Sequence, residues 1–366
     1  MAKSKRTYVT YKDLERIKKE YKPKYTIVYG GRNDGKSYAV KEKVIRDFLK
    51  NGSMFTYLRR YEADIKEVDN VLYWDDFISG EVNKIEELSG GLYNGITVEK
   101  KGIFFTQLNE DGKTVTADQI GYIHALSTEQ RLKSLQFPKI RTIIYEEFCT
   151  AGTYLYKEIS HFNSYVSTVA RSRGDVDVYL IGNTISKHNI FFREWQLNNV
   201  GSQKPGTVDI YKFSHEDVEI RVAAYYTTTV KENTMFFGTG AKMITGGEWE
   251  SEEQPHLEGN EEEYVEVYRL SVEIDTNNRY LCRFMVKSNI GVWYVTKRTS
   301  VIKQNERIIS PDYRESNLYT NAFIPINNGE KRIFPYIKMG RIVYGDNLTG
   351  TEFKRALKQL TIMNKD

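Results

Sequence analysis

The stretch Gly30-Gly31-Arg32-Asn33-Asp34-Gly35-Lys36-Ser37 fits the pattern G-x-x-x-x-G-K-[ST] at every fixed position. No other feature of the chain constrains its fold as tightly. Such a loop works between a buried strand and the first turn of a helix, where backbone N–H groups and the positive helix end converge on phosphate oxygens. Both flanks are present. Tyr25 to Tyr29 is an apolar run of strand length, and from Lys36 the residues Val40, Val44, Ile45 and Phe48 recur at helical spacing until Gly52. Met54 to Leu58 then reads as a second strand. Strand, helix and strand make a βαβ unit, which implies an α/β fold with a parallel sheet covered by helices.

The loop's residue types set its chemistry. The glycines let the backbone of Gly30 to Ser37 wrap phosphates, Lys36 is placed to reach the β- and γ-phosphates, and the Ser37 hydroxyl is placed to ligate Mg²⁺. ATP with Mg²⁺ is therefore the expected cofactor. A glycine-rich turn with a surface lysine is the plainer reading, and it leaves the flanking strand and helix unexplained. Such a site also needs a carboxylate on the metal side and a group that activates water. The apolar run Thr142-Ile143-Ile144-Tyr145 ends in Glu146-Glu147. Glu146 is expected on the metal side and Glu147 as general base. Aspartate is the usual residue at the first position, and because Mg²⁺ keeps several waters an outer-sphere contact tolerates the longer arm. A further apolar strand, Val176 to Ile181, leads into Gly182-Asn183. Asn183 is the candidate γ-phosphate sensor, against the plainer reading of a turn asparagine.

The chain has 366 residues, 40% hydrophobic and 28% charged, enough for two globular domains and against wholesale disorder. A net charge of +4 is too mild to establish nucleic-acid binding. Two distant cysteines, Cys149 and Cys282, argue against a disulfide framework and fit a reducing cytoplasm. No apolar run reaches the roughly 18 residues needed to span a bilayer, and the start carries no apolar signal core. Helices are expected at Tyr11 to Tyr21, from Leu155 to Val169 with Gly174 as the stop, and at Thr351 to Leu360. Strands are expected at Gly102 to Gln107, Val115 to His124, Tyr268 to Ile274, Arg279 to Val286 and Gly291 to Lys297, with Asn277-Asn278 as a turn. Polar, Gly- and Pro-bearing stretches at 198–207 and 246–263 read as boundaries. The expected division is a P-loop domain at 1–205, a linker or lid subdomain at 206–252 and a β-rich domain at 253–366.

Basic residues carry a second set of expectations. Arg171 and Arg173 close the long helix, where a cation is favourable without any function. In a ring ATPase the same residues would neutralise charge in a neighbour's site. Arg32 is a further phosphate or inter-subunit candidate, Lys133 a weaker one, and Arg59 and Arg60 remain open. In the last third, Glu273 and Asp275 share a strand face and Asp346 lies downstream, a set that a two-metal nuclease could use. Ordinary surface acids are the plainer reading. Lys331, Arg332, Lys338 and Arg341 alternate with Phe334, Tyr336 and Tyr344, a mix suited to DNA, RNA or a protein contact.

The loop GGRNDGKS, the strand IIYEE, the helix TVARSRG and the strand IGNT come in the order found in the large-terminase class of genome-packaging ATPases. Over about residues 25 to 185 the chain resembles the packaging ATPases of small short-tailed double-stranded DNA phages. That resemblance implies an additional-strand, catalytic-glutamate ATPase domain. It also implies a homomeric ring, a pentamer, on the portal vertex of a procapsid in the host cytoplasm, with double-stranded viral DNA and a packaging RNA as partners. The β-rich domain would be RNase H-like with a vestigial nuclease. A full terminase that also cuts concatemeric DNA and a P-loop phosphotransferase are the alternative enzymes. A purely structural nucleic-acid-binding module would leave the loop and the paired acids unused.

Overall fold

A computed structural model of the chain describes residues 8–68, 71–150, 154–184, 189–215, 218–228, 252–274, 278–301, 306–310, 319–321 and 341–363. The chain divides into two compact units, one from residues 1–184 and 199–248, the other from 185–198 and 249–366.

The first unit is built on one sheet of nine strands: β1 (Tyr25–Gly30), β2 (Met54–Arg59), β3 (Gly95–Glu99), β4 (Gly102–Leu108), β5 (Thr114–Ala125), β6 (Ile140–Glu146), β7 (Asp177–Asn183), β8 (Val208–His215) and β9 (Val218–Tyr226). Across the sheet the order is β3-β4-β5-β2-β6-β7-β1-β9-β8. From β5 through to β9 in this order the strands are mutually parallel. The hairpins β3-β4 and β8-β9 and the pair β4-β5 are antiparallel. Strands buried on both faces read as near-continuous apolar runs, and β1, β2, β6 and β7 do so.

Helices α1 (Tyr11–Tyr21), α2 (Lys36–Asn51), α3 (Glu62–Val68), α4 (Asp75–Ile78), α5 (Lys84–Ser89) and α6 (Glu158–Ala170) belong to this unit. The core joins Val40, Val44 and Ile45 of α2 to Phe55, Ile144 and Ile181 of the sheet and to Leu14 and Ile17 of α1. Each parallel strand ends on the edge that carries the Gly30–Ser37 loop. The ends of β6 and β7 therefore lie beside it, with β7 between β1 and β6.

Two expectations are corrected here. Residues 206–252 are not a linker throughout: β8 and β9 complete the large sheet, β9 pairing with β1 from Tyr25↔Val222 to Tyr29↔Tyr226. Val222 to Tyr226 are all buried, and Ala223 and Tyr225 join the core, while 229–251 lie outside the described residues. The long helix starts at Glu158 and not at Leu155, because Lys157 adopts a left-handed conformation (φ 50) and the Glu158 carboxylate accepts from Leu155 N–H at 2.9 Å.

The second unit contains α7 (Ile190–Glu194), the strands β10 (Val265–Glu273), β11 (Arg279–Lys287), β12 (Ile290–Lys297), β13 (Arg307–Ser310), β14 (Tyr319–Asn321) and β15 (Ile342–Tyr344), and the helix α8 (Asn347–Met363). Its sheet runs β14-β13-β10-β11-β12-β15. β10, β11 and β12 form an antiparallel meander, and β13, β14 and β15 join in parallel. Phe353 and Ala356 of α8 are buried against Tyr280 and Tyr344.

The nuclease candidates sit differently from one another, Glu273 in the interior and Asp346 on the surface. Glu273 is buried, and Asp346 caps α8, accepting from Thr349 N–H at 2.8 Å and the Thr349 hydroxyl at 2.6 Å. Asp275 and Asn277 lie outside the described residues, as do Lys331, Arg332, Phe334, Tyr336 and Lys338. Tyr344 belongs to the core and not to a basic-aromatic surface, whereas Arg341 is exposed.

Candidate functional site

Tight backbone geometry prepares the loop for phosphate. Asn33 (φ 63) and Gly35 (φ 82) are left-handed, and Gly35 opens α2. A side chain at Gly35 would be strained by that φ and would also meet Val9, whose carbonyl oxygen lies 3.0 Å from the Cβ position. The segment before α1 is thus part of the loop's support: Val9 N–H donates to the Asp34 carbonyl at 2.9 Å. On the other side, Thr227 at the end of β9 donates its hydroxyl to the buried Asp34 carboxylate at 2.6 Å. It packs so closely on Gly30 that a Cβ there would lie 1.9 Å from the Thr227 Oγ1. Neither Val9 nor Thr227 carries a motif that the sequence would expose.

A cleft of about 490 Å³ opens over the loop. Arg32 through Ser37 line one side, Glu146 and Glu147 from the end of β6 another, and Asn183 from the end of β7 a third. The structure therefore brings together the loop, both acids and the sensor candidate. Tyr38 and Asp76 also line the cleft, and no motif marks either of them. Lys36 is buried, donates to the Gly31 carbonyl, and stands 3.9 Å from the Asp34 carboxylate. Burial pulls its ammonium below the usual lysine range, while Asp34, Glu146 and Glu147 pull it back up.

The two acids are held differently. Glu146 is buried, with one carboxylate oxygen accepting from the Ser37 hydroxyl and the other from the Tyr73 hydroxyl at 2.6 Å. Glu147 is only partly buried and takes a left-handed turn (φ 58), uncommon for glutamate. Arg60 sustains that turn. Its guanidinium donates to the carbonyls of Glu147 at 3.0 Å and Phe148 at 2.9 Å and pairs with the buried Glu158 at 2.8 Å. Glu158 also accepts from the Tyr145 hydroxyl at 2.6 Å. Arg60, left open by sequence, thus braces the acidic turn from within the fold. Arg59 donates to the Tyr57 hydroxyl at 3.3 Å.

Arg171 and Arg173 lie away from this cleft. α6 runs back from the end of β6 to the start of β7, so its C-terminus sits on the opposite edge of the sheet from Lys36. Neither arginine is in the helix proper: α6 ends at Ala170 and Arg171 is its left-handed cap (φ 40). Arg171 donates to the carbonyls of Lys133 and Leu135, and Arg173 to those of Phe137, Pro138, Val169 and Ala170. Lys133 accordingly contributes its backbone carbonyl to this brace. None of the three reaches the loop of its own chain.

Oxygen donors alone meet at the loop, and a hydroxyl plus one carboxylate is the sparse protein set that suits Mg²⁺, which keeps waters and phosphate oxygens as its other ligands. Ser37 and Glu146 fit that ion.

Known proteins share sequence and fold with this chain. The family model described as the Podovirus DNA encapsidation protein (Gp16) matches residues 18–267. The DNA packaging protein of Bacillus phage B103 is 30% identical over 168 residues, covering 45% of this chain and 46% of its own. That of Bacillus phage phi29 is 30% identical over 173 residues, covering 46% of each. The chain thus spans about half the length of these relatives. A solved structure of the bacteriophage Phi-29 viral genome packaging motor assembly superposes with a TM-score of 0.54 at 19% identity, covering 98% of this chain and all of that one, a likeness of fold. With more than half of its length matched, the chain belongs to the Podovirus DNA encapsidation protein (Gp16) family.

Proposed function

We propose that the chain is an ATP-hydrolysing motor that drives double-stranded viral DNA into a procapsid, acting as a homomeric ring, a pentamer, at the portal vertex in the host cytoplasm, with a packaging RNA as a further partner. The observation that carries the ATPase part is the single cleft lined by Lys36, Ser37, Glu146, Glu147 and Asn183. The DNA part rests on family membership and on relatives named DNA packaging proteins. The placement of β7 between β1 and β6 supports an additional-strand, catalytic-glutamate ATPase.

In this reading the Gly30–Ser37 backbone and Lys36 hold the β- and γ-phosphates, and Ser37 with Glu146 would hold Mg²⁺. The ion would supply charge neutralisation across the phosphates. Glu147 takes the proton of the attacking water, with Arg60 fixing its backbone. Asn183, paired in register with Gly30 across β7 and β1, is placed to sense the γ-phosphate.

For the second unit we infer an RNase H-like sheet whose nuclease is vestigial. Support comes from the antiparallel meander β10-β11-β12 with the parallel strands β13 and β14 added on the far side of β10, and from Asp346 serving as a helix cap. Metal-dependent cleavage of DNA, lost on Glu273→Ala, would favour an active terminase instead.

The test of the motor is turnover stimulated by procapsids and DNA. Lys36→Ala should abolish it. Glu147→Gln should still bind nucleotide while losing at least about 100-fold in turnover, the usual scale for removing a general base. Full turnover in Glu147→Gln would remove that assignment, and a wild-type rate indifferent to DNA and procapsids would remove the motor.

A further inference from the structure

Tyr73, which no motif marks, sits in a closed circuit around the metal side of the cleft. Its hydroxyl donates to one oxygen of Glu146 at 2.6 Å, while Ser37 donates to the other. Its backbone carbonyl accepts from Lys41, whose ammonium also stands 4.0 Å over the Tyr73 ring. Lys41 is one helical turn beyond Ser37, so both lie on one face of α2. The circuit therefore closes through the helix: Ser37, Glu146, Tyr73, Lys41. Further contacts hold the pieces in place. Tyr57 packs its ring 4.4 Å from that of Tyr73, Trp74 packs edge-on at 5.2 Å, and Asp76 pairs with Lys41 at 3.0 Å.

We propose that Tyr73 is the positioning residue that keeps the Glu146 carboxylate on the metal side of the site, and that it explains a glutamate where an aspartate is usual. The extra methylene lets one carboxylate face both hydroxyls. Ser37 and Glu146 would hold Mg²⁺ between them, the Ser37 hydroxyl turning a lone pair to the ion and its proton to one oxygen of Glu146. Tyr73, on the other oxygen, is the tether that stops the longer, more flexible arm from swinging away. An aspartate, being shorter, needs no such tether and does not reach it. This inference rests on the nucleotide reading of the cleft and names a residue outside the phosphate loop that tunes it.

The test is equilibrium binding of a fluorescent ATP analogue to the full chain, without Mg²⁺ and across a Mg²⁺ titration. Tyr73→Phe keeps the ring and removes only the hydroxyl. It should leave Mg²⁺-free affinity unchanged and raise the Mg²⁺ concentration for half-maximal tightening roughly tenfold, the scale seen when an outer-sphere partner of a metal ligand is lost. In a Glu146→Asp background the same change should matter less than about twofold, because the pair no longer touches. Equal effects in both backgrounds, or equal loss with and without Mg²⁺, would overturn the proposal. A wild-type chain that binds no nucleotide would instead overturn the reading of the cleft itself.

Discussion

Arg60 donates to the carbonyl oxygen of Glu147 at 3.0 Å from a position where its own charge is neutralised by buried Glu158. The general-base candidate is thus aimed by a guanidinium that never touches the cleft. Breaking a buried pair on one side is costly, about 3–5 kcal/mol, because the remaining charge is stranded. Arg60→Met should therefore lower the melting temperature sharply. Arg60→Met with Glu158→Met should recover much of that loss, since apolar replacement of both partners is often neutral. Turnover should not recover with it, because the guanidinium that holds the carbonyls of the left-handed turn at Glu147 is gone. Thermal melts and ATPase assays on the three proteins separate the effects, and a double variant with wild-type turnover would show that the brace is purely structural.

A second expectation concerns pH. His124 is buried on β5, an internal strand of the large sheet, 2.8 Å from the Tyr165 hydroxyl and 3.2 Å from that of Thr56. Burial lowers its pKa from 6.5 to about 4, with Lys101 adding to the effect. The unfolded chain takes up this proton near pH 6.5 and the folded chain does not, so stability falls as pH drops from about 6.5 towards 4. The loss approaches about 1.4 kcal/mol per pH unit inside that window and vanishes above it. Melting curves of wild type and His124→Gln from pH 7.5 to 4.5 should diverge below 6.5, the variant losing less. Parallel curves would mean that His124 is protonated in the folded state as well.

These sites differ in how visible they were in the sequence. The phosphate loop, α2 and the acid-ended strand are local patterns, and the structure places them at Gly30–Ser37, Lys36–Asn51 and Ile140–Glu146. Contacts made by crossing of the chain leave no such trace. Tyr73 meets Glu146, and Thr227 meets Asp34, across long separations, and nothing in the spacing of these residues announces it. β8 and β9 were hidden by the polar stretch before them and by alternating polar residues such as Asp209 and Glu219 on an edge hairpin. Glu273 and Tyr344 read as surface residues because charge and a hydroxyl suggest solvent, yet both are buried.

The arginines after α6 can be separated experimentally, because the structure gives them unequal work. Arg173 serves four carbonyls, including the last two residues of α6, while exposed Arg171 serves two in the turn before β6. Charged hydrogen bonds contribute about 1.5–3 kcal/mol each at best, less where solvent competes. Arg173→Ala should thus lower the melting temperature of the isolated chain by several degrees, roughly 2–6 °C, and Arg171→Ala by less. In the proposed ring, an arginine acting on a neighbour's site has to be free to leave its turn, and of the two Arg171 is the exposed one. Rings assembled from wild-type and Arg171→Ala subunits should then lose DNA-stimulated turnover more steeply than the wild-type fraction falls. Rings containing Arg173→Ala should lose it only in proportion to unfolded subunits. Strict proportionality for Arg171→Ala as well would leave both arginines as braces of the turn before β6, and the residue acting between subunits would have to come from elsewhere.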